Sequence, residues 1–196
     1  MKPQMLLRPR PGYSLVEMSI SLTLSALVVA VLFGTIANMQ KAYRGQRDTR
    51  ASEEAMRTAE QVLRTVLQSA GADPRATGQG LLHPDPMGAN GFDDLRVKSD
   101  INPPDGLFTG DLEDVTVRVQ ADTLMMKWTS TGSFQPLAYP IRALLFEYFD
   151  TVNAPLTTIA DVANATSVRI TISAPENPVS NILRSRQAWI FLQNRR

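Results

Sequence analysis

From Leu15 to Ala37 the chain is apolar almost without interruption, and Glu17 is the only charge in that run. Charges are absent from Met18 to Gln40 and return at Lys41. About 23 residues at a rise of 1.5 Å each reach roughly 34 Å, enough to cross the hydrocarbon core of a bilayer. The pattern then changes. Ala55, Met56, Ala59, Val62, Leu63, Val66, Leu67 and Ala70 fall at spacings of three and four, which makes one stripe on a helix. Arg50, Arg57 and Arg64 recur at heptad spacing on another face. Gly71 is a natural C-terminal cap and Pro74 a stop beyond it, with no proline between Gly12 and Gly71. The pattern predicts one helix from about Leu15 to Ala70, roughly 84 Å long. Its first half is apolar all round and suits lipid or a helical bundle. Its second half suits packing against a folded domain.

Beyond the helix, residues 71–91 are rich in Gly, Pro and Asp and read as a loop. Alternating and apolar runs then predict strands at Leu95–Lys98, Val115–Val119, Leu124–Trp128, Ile141–Phe149, Val168–Ile172 and Ala188–Leu192. Gln120-Ala121-Asp122 is a hairpin turn, and Ile141–Phe149 is apolar enough for a central strand. Residues 156–163 predict a short helix. Prolines punctuate the runs. The expected fold class is α+β, a long N-terminal helix packed on an antiparallel sheet.

Composition qualifies this picture in two places. The formal net charge is +1, but Lys2, Arg8 and Arg10 all precede Gly12; without them 17 basic residues face 19 acidic ones, a net of −2. Such a chain presents no large field to a polyanion. The sequence contains no cysteine, which excludes disulfides, thiolate metal sites and cysteine nucleophiles.

Three readings compete for the N-terminal segment. A secretory signal peptide is cut after its apolar region, but the best small-x-small site, Thr35-Ile36-Ala37, is poor and the run is long. An uncleaved single-span anchor has basic residues on both flanks. Both leave Glu17 without a role, although a carboxylate at the start of a membrane helix costs up to a few kcal/mol unless partnered. Cleavage between Gly12 and Tyr13 supplies a partner. The new amine of Tyr13 lies four residues before Glu17, one helical turn away. It can pair with Glu17 of its own chain or of a neighbour, and the helix N-terminus favours a carboxylate nearby.

Gly12-Tyr13-Ser14-Leu15-Val16-Glu17, preceded by basic residues and followed by an apolar helix, resembles the type IV prepilin motif. The resemblance implies a leader of residues 1–12, removed after Gly12 by a prepilin peptidase, N-methylation of Tyr13, and an assembly role for Glu17. The family's usual first mature residue is Phe, so Tyr13 keeps the aromatic ring. Ala42-Tyr43-Arg44, the helix end at Ser69-Ala70-Gly71, the Leu144–Asp150 run and Val168-Arg169-Ile170-Thr171-Ile172 are similar to PilW-type minor pilins and to the related J-type pseudopilins of type II secretion. The layout implied is a transmembrane or bundle half at 13–40, an amphipathic half at 41–70 and a β-rich head at 71–196. The implied partners are other minor and major pilins, the peptidase, an inner-membrane assembly platform and the membrane itself. The implied course runs from the bacterial inner membrane, with the head in the periplasm, to a pilus tip at the cell surface.

Enzyme chemistry finds little support. His83, the only histidine, sits in a Gly/Pro stretch with no cysteine or second histidine. Asp93, Asp94, Asp111, Glu113 and Asp114 make the middle acidic, but no D-x-D-x-D run suits calcium, so they read as ordinary loop charges. No phosphate loop, nucleophile triad or assignable carboxylate pair appears. The expectation is an assembly protein rather than an enzyme, with no metal or cofactor. One binding alternative is the C-terminal stretch. Arg184, Arg186, Arg195 and Arg196 interleave with Trp189 and Phe191, a combination suited to single-stranded nucleic acid during DNA uptake. The plainer reading is a final strand with Trp189 and Phe191 in the core and solvated arginines.

Overall fold

The computed structural model describes residues 14–72, 81–82, 93–101, 107–108, 110–162, 164–176 and 181–193. In chain order the elements are α1 (Leu15–Ser69), β1 (Leu81–Leu82), β2 (Leu95–Lys98), β3 (Asp114–Gln120), β4 (Thr123–Lys127), β5 (Gln135–Ala138), β6 (Ala143–Phe149), β7 (Pro155–Leu156), α2 (Ile159–Val162), β8 (Ser167–Pro175) and β9 (Leu183–Phe191). The fold is α+β, as expected. The chain forms two compact units, Met1–Gly45 and Gln46–Arg196.

In the first unit, α1 carries a window of mean hydropathy 2.3 with none of it buried, long and apolar enough to cross a membrane. Leu15, Leu22 and Phe33 are 86%, 74% and 69% exposed. Three of the hydroxyls within this apolar stretch bond back to the helix itself. Ser19 donates to the carbonyl of Val16, Thr23 to those of Ser19 and Ile20, and Thr35 to that of Val31, at 2.9–3.0 Å. Polar side chains that bond back to their own helix carry no unpaired donor into an apolar surrounding.

In the second unit, the rest of α1 buries the expected stripe. Ala55, Met56, Ala59, Leu63, Val66, Leu67 and Ala70 are all in the core, with Val62 partly buried beside them. Ser52 extends the buried face at its N-terminal end and donates to the carbonyl of Pro175 at 2.7 Å. The helix stops one residue short of expectation, and Gly71 follows in the left-handed region at φ 76°. A residue without a Cβ takes that conformation at no steric cost.

Two antiparallel sheets, rather than the single sheet expected, complete this unit. One has the order β1-β2-β3-β4-β5 and the other β7-β6-β8-β9. Alternation marks a strand but not its neighbours, so β4 and β6 looked alike in sequence while belonging to different sheets. Between the sheets, the Ile141 amide donates to the Asp122 carbonyl at 2.8 Å and Arg142 pairs with the Asp122 carboxylate at 3.4 Å. Ile141 therefore precedes β6 instead of opening it. Side chains from α1 and from both sheets, including Leu95, Val117, Leu124, Phe146, Tyr148, Ile170 and Ile190, form one core cluster.

Three strands lie where none was expected. β1 falls within the stretch read as loop. β5 and β7 each contain a proline, Pro136 and Pro155, and each lies at the edge of its sheet. A proline inside an apolar run argues against a strand, yet an edge strand tolerates it because one side of the ladder is unpaired. β9 begins at Leu183, five residues before the expected start, because Arg184, Ser185, Arg186 and Gln187 hide its alternation. α2 occupies only Ile159–Val162 of the helix expected over 156–163.

Leu63→Ala or Leu67→Ala, each removing a side chain with no exposed surface, should lower the head's stability by about 2–5 kcal/mol. Leu22→Ala, on the exposed apolar stretch, should leave it unchanged. Denaturant unfolding of the detergent-solubilised chain, followed by near-UV circular dichroism, measures both.

Candidate assembly site and the face of the last strand

The start of α1 is organised around Ser14 and Glu17. Ser14 is the N-cap, and its hydroxyl accepts from the Val16 amide at 3.4 Å. Glu17 reaches back, its Oε2 accepting from the Ser14 amide at 3.3 Å. This is the glutamate half of a capping box, Ser-x-x-Glu, which satisfies an amide that the helix leaves open. The motif is visible in the sequence and gives Glu17 a role without any free amine. A carboxylate has about four lone-pair sites, so one hydrogen bond leaves room for an ammonium group as well. Gly12 and Tyr13 lie outside the described residues.

β9 is an edge strand paired in continuous register with β8. Successive side chains of a strand point to opposite faces. Arg184, Arg186, Ala188 and Ile190 share one face; Ser185, Gln187, Trp189 and Phe191 share the other. The first face meets α1. Arg184 pairs with Glu53 at 3.4 Å and with Glu176 at 2.7 Å, and Arg186 pairs with Glu60, which also holds Arg64 at 3.1 Å. A small cavity of about 290 Å³ beside these pairs is lined by Glu53, Met56, Arg57, Arg184, Ser185 and Arg186. Burial pushes the Glu60 carboxyl up, but hydrogen bonds and charge from Arg186 and Arg64 outweigh it and hold the group below its ordinary value.

The second face corrects the placement of the aromatics. Trp189 is 40% exposed and Phe191 72%, so neither is a core residue. Register decides this. Ile170 stands opposite Ala188 and Val168 opposite Ile190 on the core side, while Arg169 stands opposite Trp189 on the outer side. Trp189 packs on Phe149 at 4.7 Å between ring centres, with the Arg169 guanidinium 5.5 Å from Trp189 and held to Glu147. The arginines and aromatics interleaved in sequence therefore sit on opposite faces, and the two arginines are committed to carboxylates. Arg195, Arg196 and His83 lie outside the described residues.

The acidic middle is more than loop charge. Asp114 is buried and takes Arg96 in a fork at 2.5–2.6 Å. Glu113, also buried, accepts from the Ile101 amide at 3.2 Å and the Gly110 amide at 2.6 Å. Asp93 and Asp111 remain exposed. Among the described residues no group of three or more His, Cys, Asp or Glu is placed to hold a metal ion.

No family model matches the chain, and no curated protein matches it. A solved structure similar to it is a chain in the crystal structure of the GspK-GspI-GspJ complex from the type 2 secretion system of enterotoxigenic Escherichia coli. The TM-score is 0.47 and the identity 17%, over 74% of this chain and 99% of that one.

Glu60→Gln tests the network between α1 and β9. A carboxyl whose pKa is lowered by folding stabilises the fold above its unfolded value, and the contribution fades as pH falls through the lowered value. The variant should lose about 1 kcal/mol at neutral pH. The difference from the parent should close below the ordinary value of 4.5, as read from denaturant midpoints across pH.

Proposed function

We propose that this chain is a type IV pilin-like assembly protein, a PilW-type minor pilin that helps initiate or cap a filament built from the inner membrane. One observation carries the reading: α1 begins with an apolar stretch left unburied among the described residues, and a single carboxylate stands at its start. In this reading the leader of residues 1–12 is removed by the prepilin peptidase on the cytoplasmic side, and the exposed amine of Tyr13 is methylated. The apolar stretch leaves the bilayer and enters a bundle of similar helices from other minor and major pilins on the assembly platform. Glu17, still holding the Ser14 amide, pairs with a terminal amine and sets vertical register, because an unmatched charge in that bundle is costly. The head stays in the periplasm and then rides at or near the filament tip. Its role is structural rather than enzymatic. A J-type pseudopilin would use the same residues in the same way, and the neighbouring genes distinguish the two systems.

Mass spectrometry of the mature N-terminus should find an N-methylated Tyr13; an intact Met1 would refute the processing step. Glu17→Gln and Glu17→Ala separate the two roles of the carboxylate. Gln still completes a capping box but carries no charge. Both variants should insert in the membrane, and both should enter filaments about tenfold less or worse. Normal incorporation of Glu17→Gln would show that capping alone matters and would remove the amine pairing.

A further inference from the structure

A second cavity, of about 550 Å³, opens between the turn before β3 and the connection from β4 to β5, lined by Asp111, Leu112, Trp128, Thr129, Gly132, Ser133 and Gln135. Its size falls within the range of small-molecule sites, about 300–1,000 Å³. Its walls are built rather than incidental. The Leu112 amide donates to the Trp128 carbonyl at 3.0 Å, joining the two sides of the cavity at its base. Leu112 is held at φ 69°, a conformation that costs a branched side chain roughly 1–2 kcal/mol. Gly132 closes a turn on the Thr129 carbonyl, and a Cβ there would lie 2.8 Å from the Thr129 hydroxyl. The glycine keeps that hydroxyl in its place on the wall.

The side chains of Asp111, Trp128, Thr129, Ser133 and Gln135 make no hydrogen bond or ion pair among the described residues. In the smaller cavity Arg184 pairs with Glu53 and Arg186 with Glu60. Here a carboxylate, two hydroxyls, a primary amide and an indole line one open space, and Trp128 is partly buried against the core.

We propose that this cavity binds a neutral saccharide, one pyranose ring stacked on Trp128 with its hydroxyls taken by Asp111, Gln135, Thr129 and Ser133. Among the described residues the lining holds one carboxylate and no cation, which disfavours phosphates, nucleotides and acidic ligands. Hydroxyls donate to the carboxylate and amide oxygens and accept from the amide and hydroxyl groups, so a polyhydroxylated ring meets every polar group present. Its apolar C–H face suits an aromatic ring. The site does not depend on the filament reading, since it uses no residue of α1.

The chain holds two tryptophans, so Trp189→Phe leaves Trp128 as the sole indole. The full chain carrying that substitution is solubilised in a polyoxyethylene detergent, because glycosidic detergents would compete. It is titrated with the methyl pyranosides of glucose, galactose, mannose and N-acetylglucosamine. At least one should change the Trp128 emission saturably, with a Kd on the order of 1 mM. Asp111→Asn should weaken binding about tenfold through loss of a charge-assisted hydrogen bond. Gly132→Ala should weaken it by displacing the Thr129 hydroxyl, with unfolding midpoints unchanged for both variants. No saturable response to any of the four glycosides would overturn the proposal. So would a response that Asp111→Asn leaves intact, or saturation by choline chloride alone, which would mark a cation site instead.

Discussion

The burial of one face of α1 is the interaction on which the head depends. Between Ser52 and Ala70 a stripe of small and branched side chains goes out of water against both sheets, and a single core cluster contains residues of all three. Neither sheet closes on itself, and each needs its apolar face covered. Met56, Leu63 and Leu67 do this together with Phe146, Tyr148, Leu124 and Ile170. Around that dry stripe the contacts turn polar: Ser52 to the end of β8, Glu53 and Glu60 to the arginines of β9. The polar rim gives the packing its register, while the apolar stripe supplies most of its energy, at about 25 cal/mol for each Å² removed from water.

The same helix illustrates how one element serves two environments. Before Gly45 its apolar side chains are exposed, and the hydroxyls of Ser19, Thr23 and Thr35 bond back to its own carbonyls. After Gln46 the apolar side chains lie on one face, and acids and arginines take the others. The helix is continuous across the change, from Leu15 to Ser69. What differs is only where water is excluded. Glu17 stands at the start of the apolar half, where its hydrogen bond to the Ser14 amide caps the helix.

Residues were read most reliably where the physical signal is local. The helix and its glycine stop followed from spacing of three and four and from one residue free to take a positive φ. The two Val/Ile-rich strands, β3 and β8, followed from alternation. The strands that escaped notice were short, proline-bearing or polar: β1, β5, β7 and the first half of β9. At those positions the backbone is held by a neighbouring strand rather than by its own side-chain pattern. The buried Asp114 and Glu113 escaped notice for a related reason. A carboxylate in a polar stretch looks solvated until the Arg96 fork and the amides of Ile101 and Gly110 arrive from elsewhere in the chain.

The sequence by itself determined the long helix, its division into an all-apolar and a one-sided half, and the motif around Glu17, because each rests on spacing along a single element. Only the tertiary structure decided the partition of strands between two sheets and the faces of β9. A strand's parity is fixed by its own chain, but which parity meets the core is set by its register against β8. That register sends Ala188 and Ile190 inward, leaves Trp189 and Phe191 outside, and turns Arg184 and Arg186 toward the acids of α1. It likewise took the folded chain to bring Asp111 beside Trp128 and Gln135, since three residues on separate turns and strands share a cavity only after the sheet that holds them has formed.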